Sequence, residues 1–205
     1  MIPGINREDF ATPEPRKGII DGLRKDARKF AGDNRNVLLS FTSDIYQPCE
    51  AEFKLARQVI RILNEHDLAV TVLTKGGMMP VKDFDLLSMN SKNEFAVTLT
   101  ANTDELSKEW EPNAPGPLER INGLYEAAER GIKTWVSFEP VISPEAVYDL
   151  LDFMGDMPDE IRVGKLNHHN FSGSIDWPKF RERVTVILES TGKPYLIKDA
   201  LKNAK

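Results

Sequence analysis

A chain of 205 residues, 40% hydrophobic and 29% charged, has the makeup of an ordinary globular protein and enough length to enclose a sizeable core. Its formal net charge of −5 supplies no general attraction to nucleic acid or to an anionic membrane, although net charge says nothing about distribution. A single cysteine, Cys49, excludes an intrachain disulfide, a thiolate zinc site and a cluster cradle built from the chain's own thiolates. The start, Met1 to Asp9, has no apolar signal core, and no apolar run approaches the roughly 18 residues a bilayer span needs. The expected address is the cytoplasm, without a membrane partner.

In chain order, residues 1–16 are rich in proline and charge and are predicted to form a flexible arm; 17–205 are predicted to be one domain. Segment 17–31 reads as a helix with Ile19, Ile20, Leu23, Ala27 and Phe30 on one face. The run 37–41 reads as a strand buried on both faces. A helix at 50–65 follows, then a strand at 69–74, a short helix near 81–90 and a strand at 95–100. A long loop holds Trp110 to Pro115 and leads to a helix at 117–130, with Gly131 as its natural stop. A strand at 132–138, a helix at 144–154, a strand at 160–166, a helix at 176–191 and a sixth strand at 194–197 complete the series. Strands alternating with helices argue for βαβ units and a parallel sheet, with ligands at the C-terminal strand ends.

Those ends collect polar groups: Ser40 to Asp44, Thr74 to Gly77, Thr98 to Thr100, Ser137 to Pro140, and Lys165 to His169. Serines and threonines there cap helices routinely, yet five strands converging on one rim point to a pocket. Lys75 is placed at its mouth, able to hold a carboxylate or phosphate or to remain a solvated lysine. Gly76 and Gly77 would let a ligand approach the backbone. Asp44 and Glu139 read as ligand-binding carboxylates or as ion-pair partners of Lys75. His168 and His169, adjacent on an extended segment, would point to opposite faces and would not chelate one ion, so no metal site is expected. Trp110, Trp135 and Trp177 read as packing residues, and charged faces such as Arg24-Lys25-Asp26 as solvated surface.

The motifs carry a resemblance. Thr42-Ser43-Asp44-Ile45-Tyr46-Gln47-Pro48 with Glu50 resembles the T-D-x-Y-Q-P-x-E signature of the spore photoproduct lyase branch of the radical S-adenosylmethionine superfamily, with a serine inserted or substituted. Leu73-Thr74-Lys75 is similar to its T-K pair, Val97 to Thr100 to its V-S-L-T strand, and Glu111-Pro112 through Pro115 with Arg120 to its E-P-x-A-P…R segment. Val136 to Ile142 is similar to its A-P-V-I strand, with Glu139 in the alanine position. The resemblance covers roughly residues 37–166.

It implies a radical-SAM-like partial (β/α) barrel with parallel strands, its first strand missing, binding S-adenosylmethionine at the C-terminal rim. By that resemblance Ser43, Asp44, Lys75, Thr98 and Ser137 are cofactor-binding, and Glu139, Asn167 and His168 are expected to touch substrate; no residue is assigned a catalytic role. The family's [4Fe–4S] cluster hangs on three cysteines in a C-x3-C-x2-C loop after the first strand. That strand and its cysteines have no counterpart here, so activity requires a cysteine-bearing partner segment, and the chain alone is expected to be inert. Without that strand, 37–41 becomes an open edge, predicting self-association or a covering partner chain. Nucleic acid is retained as a substrate class. The competing readings are a non-catalytic binding or interaction domain on the same scaffold, and a barrel hydrolase or aldolase using Lys75 or Glu139.

Overall fold

A computed structural model describes residues 13–39 and 43–204. Most of the expected arm, the last two residues of the 37–41 strand and Thr42 lie outside the described residues. Among the described residues six strands form one sheet in sequence order: β1 (Val37–Leu39), β2 (Val70–Thr74), β3 (Glu94–Thr98), β4 (Lys133–Val141), β5 (Glu160–Lys165) and β6 (Tyr195–Ile197). Every neighbouring pair is parallel. Each connection therefore crosses over, through helices α1 (Ile19–Lys29, ahead of β1), α2 (Glu50–Phe53), α3 (Leu55–Glu65), α4 (Phe84–Leu87), α5 (Asp104–Trp110), α6 (Pro117–Glu129), α7 (Pro144–Met154), α8 (Trp177–Ser190) and α9 (Asp199–Lys202). The predicted α/β fold with a parallel sheet is the one observed.

Register sorts the strand residues onto two faces, because side chains alternate along each strand. Val72 aligns with Phe95, Val97 with Val136, Val136 with Ile161, and Val163 with Ile197. All of them belong to the main core, under α3, α6, α7 and α8. The opposite face carries several polar groups among its residues. There the Thr71 hydroxyl donates to Glu94 at 3.2 Å, Lys133 pairs with the same carboxylate at 2.7 Å, and the Arg162 guanidinium lies 3.7 Å from the Trp135 ring centroid. Fully buried Phe95, Ala96 and Val97 show why the central strands read as continuous apolar runs.

Several expectations need correcting. The first strand is not buried on both faces: Leu38 is 42% exposed, because β1 is the end of the sheet and pairs only with β2 among the described residues. The helix expected at 50–65 is two helices, broken at Lys54, whose φ is +51°. The reason is Glu50. Its carboxylate, 4% exposed, turns back to accept the backbone N–H groups of Leu55 and Ala56, both at 2.9 Å, and so caps α3. The short helix near 81–90 is a 3₁₀ turn, Met79–Asp83, running into α4. The loop before Trp110 contains α5, whose cap is the Thr103 hydroxyl accepting from Leu106 N–H. Strand β4 runs past Phe138 to Val141, with a register shift between them.

Replacing Glu50 with alanine leaves two helix N–H groups without their acceptor. The unfolding free energy should fall by about 1–2 kcal/mol, seen as a lower urea midpoint at unchanged slope; an unmoved midpoint would show that the cap contributes nothing.

Candidate functional site

The loop after β1 is fixed to the end of β2 by one carboxylate. Asp44 Oδ1 accepts from Tyr46 N–H at 2.8 Å and from the Thr74 hydroxyl at 2.6 Å, while Oδ2 accepts the backbone N–H of Lys75 at 2.6 Å. Gln47 reaches back to the Asp44 carbonyl at 2.9 Å. Tyr46, 2% exposed, donates its hydroxyl to Asp83 at 3.1 Å; burial pushes its phenol far up, and the Asp83 carboxylate adds to the effect. Much of the signature therefore shapes the loop.

Lys75 is neither free nor paired with Asp44 or Glu139. Its ammonium lies 2.9 Å from Glu111 Oε1, and the other oxygen of Glu111 lies 2.7 Å from Arg120. Arg120 is 1% exposed and donates further to the carbonyls of Thr98 at 2.9 Å and Pro115 at 2.8 Å. Burial pushes the Glu111 carboxyl up, but the charges of Lys75 and Arg120 outweigh it and hold it below the ordinary glutamate range. Both residues were quoted as motif positions without a role. The available signal was Arg120 itself, a charge on the same helical stripe as Ile121, Leu124 and Ala127.

Around this bridge is a recess of about 680 Å³ walled by Asp44, Tyr46, Lys75, Met79, Glu111 and Pro112. Gly76 lines it, and both glycines are closely packed from behind. A Cβ on Gly76 would sit 2.6 Å from Tyr46 Cβ, and one on Gly77 would sit 2.5 Å from Glu119, so their bareness serves internal packing.

The remaining expected cofactor residues lie elsewhere. Thr98 and Ser137 are register partners at the C-terminal ends of β3 and β4, on the polar face. They are 7% and 5% exposed, and their hydroxyls make no hydrogen bond among the described residues. Ser43 is exposed in the loop after β1. The expected set is thus divided: Asp44 and Lys75 line the recess, and Thr98 and Ser137 form a hydroxyl pair on the sheet.

Of the expected substrate residues, Glu139 forms an ion pair with Lys198 and packs on Gly164, where a Cβ would lie 2.6 Å from its carboxyl carbon. It joins β4 to β5 and to the segment after β6. Asn167 and His168 are exposed in the loop after β5, Asn167 bonding to the Lys165 carbonyl at 3.1 Å and His168 at φ +57°. His169 packs on Trp110 with ring centroids 5.1 Å apart and accepts from Phe171 N–H through Nδ1. The two histidines do not share a coordination point, and no group of three or more His, Cys, Asp or Glu suited to a metal occurs among the described residues. No helix of the described residues is long and apolar enough to cross a membrane.

No protein-family model matches the chain. The uncharacterized protein MJ0683 of Methanocaldococcus jannaschii is 31% identical over 116 residues, covering 57% of this chain and 42% of that protein. Among solved structures, Streptococcus suis SuiB bound to S-adenosylmethionine aligns with a TM-score of 0.67 at 15% identity, covering 91% of this chain and 45% of SuiB. SuiB bound to the precursor peptide SuiA aligns at 0.65 and 14%, covering 87% and 42%. The fold is radical-SAM-like. That likeness concerns the scaffold alone, and the chain spans less than half the length of each of these proteins.

Glu111, whose pKa is depressed in the folded state, contributes stability that is fully present above its unfolded pKa and is lost as the pH falls through the folded value. Glu111→Gln leaves the Arg120 charge without its carboxylate and should cost about 3 kcal/mol at pH 7. In urea unfolding, the gap between wild type and variant should narrow steadily toward pH 3; a gap independent of pH would remove the charge from the explanation.

Proposed function

We propose that this chain is the S-adenosylmethionine-binding portion of a radical S-adenosylmethionine enzyme, spore photoproduct lyase-like, that takes its cluster ligands from a cysteine-bearing segment outside this sequence. The observation that carries the reading is the Thr98–Ser137 pair: two adjacent, unengaged hydroxyls at the C-terminal rim of a radical-SAM-like sheet. A ribose presents hydroxyls able to hydrogen-bond both. SuiB, on the same scaffold, has been solved with S-adenosylmethionine. The group would supply a sulfonium centre; this chain's part is to hold and orient it.

The residues present do not fit a [4Fe–4S] centre. Such a centre is held by cysteine thiolates, and the sequence has Cys49 alone, in the turn before α2. No step is derived through it. A completing segment would pair with β1, whose far edge carries no strand among the described residues and whose Leu38 is 42% exposed. The second reading, a non-catalytic binding domain, is favoured by the internal use of Asp44 and Lys75, two of the five expected cofactor contacts.

Titration calorimetry with S-adenosylmethionine separates the two. Thr98→Val and Ser137→Ala should each weaken binding by up to about tenfold, the worth of one hydrogen bond. Absence of heat, or variants that bind as wild type does, would favour the second reading. Sedimentation velocity on the chain alone should show concentration-dependent association through the β1 edge, abolished by Leu38→Lys; a monomer at all concentrations would leave that edge without a role in assembly.

A further inference from the structure

On the helix side of the sheet, the starts of α7 and α8 and the 3₁₀ turn Asn170–Ser174 border a recess of about 400 Å³. That size suits a small molecule. Helix α7 contributes Glu145 and Tyr148, three residues apart and so on one face; α8 contributes Lys179 and Arg183, four apart. Two further aromatics supply apolar wall. Phe180 is 2% exposed, its ring centroid 5.9 Å from that of Tyr148. Phe171 is 42% exposed and is backed by Trp110, with centroids 5.4 Å apart. Residues from two helices and a turn, scattered over forty positions of sequence, thus face one space.

The charges on this lining are opposite in sign, yet they do not answer one another. Among the described residues Glu145 accepts only from the Ser143 hydroxyl, at 3.5 Å, and Asp176 is occupied in capping α8, its Oδ1 accepting the Lys179 backbone N–H at 3.0 Å. The Lys179 ammonium and the Arg183 guanidinium have no ion pair and no side-chain hydrogen bond among the described residues. Arg183 lies instead 4.1 Å from the centroid of the Tyr148 ring, a contact that leaves its N–H donors available to a carboxylate. Charges of both signs reach that ring: burial pushes the Tyr148 phenol up, the Arg183 charge works against this, and the Glu145 charge adds to it. Glu145 and Arg183 thus flank one aromatic without closing into an ion pair. A simple anion entering here would meet Glu145 and Asp176, and a simple cation would meet Lys179 and Arg183. A molecule carrying both charges and an apolar body meets neither objection.

We propose that this recess binds a free zwitterionic α-amino acid with an aromatic side chain. Lys179 and Arg183 take its carboxylate, Glu145 takes its ammonium, and its ring packs between Tyr148 and Phe171. The site is separate from the Thr98–Ser137 hydroxyls, which lie on the opposite face of the sheet. Titration calorimetry with L-phenylalanine reads the binding directly. Lys179→Gln and Arg183→Gln should each weaken it about tenfold, the worth of one charge-assisted hydrogen bond. L-alanine, with the same two charges and no ring, should bind at least about tenfold more weakly than L-phenylalanine. Glu145→Gln should weaken L-phenylalanine about tenfold and leave the weaker binding of N-acetyl-L-phenylalanine, which has no ammonium, unchanged. Lys25→Gln, which removes an exposed charge on α1, should change nothing. The proposal fails if wild type gives no heat with millimolar L-phenylalanine, or if either cation variant binds as wild type does. It also fails if N-acetyl-L-phenylalanine or L-phenylalaninamide binds as well as L-phenylalanine, since the recess would then read a single charge. All four substituted positions are exposed, and unchanged circular dichroism would confirm that folding is not the variable.

Discussion

A guanidinium almost wholly removed from water has to be answered on every side, and the architecture of the rim follows from how Arg120 is answered. A buried charge left without a partner costs several kcal/mol, so its neighbours are constrained to present oxygen. The Thr98 carbonyl at the end of β3, the Pro115 carbonyl in the loop before α6, and the Glu111 carboxylate after α5 all do so. One side chain thereby fixes the end of a strand, the path of a long connection and the position of a second charge. Glu111 passes the constraint on to Lys75 at the end of β2. The geometry of two adjacent strand ends is set by a residue on the helix that packs behind them.

This chain of dependence explains why the fold was more legible than the site. Strand and helix order could be read from residue type because burial on one face leaves a periodic trace, and Pro144–Met154 came out with its predicted ends. Helix α5 was missed although Thr103, Asp104 and Glu105 spell a cap and an acidic first turn, because the prolines that follow it dominated the reading. The break at Lys54 could not be read locally: it exists because Glu50 folds back on the next helix, and nothing in an amphipathic run announces that. The polar face of the sheet was hidden by the same effect. Thr71, Glu94 and Lys133 satisfy one another across three strands, and such pairings depend on register that no single strand contains.

The motif residues divide along the same line. Of the signature positions Asp44 was expected to face a ligand, yet it, Tyr46 and Glu50 each complete a hydrogen bond that holds a turn, a strand end or a helix start. A conformation that must be held open against collapse needs such internal bonds, because a ligand cannot supply them before it arrives. Thr98 and Ser137 show the converse. Their hydroxyls have no partner among the described residues, and they stand side by side at the C-terminal ends of β3 and β4.

Charge distribution resolves an apparent conflict left by composition. A net charge of −5 argued against a polyanionic partner, but a total averages over surfaces that never meet the same ligand. At the rim, opposite charges are matched: Lys75 with Glu111, Glu111 with Arg120, Glu139 with Lys198. Between α1 and α3 they are matched in part, Arg57 with Asp83 and Asp85, and the Debye length of about 8 Å at physiological salt confines what the other cations can feel to their own neighbourhood. A matched rim is suited to recognising a ligand by shape and hydrogen bonding rather than by net charge.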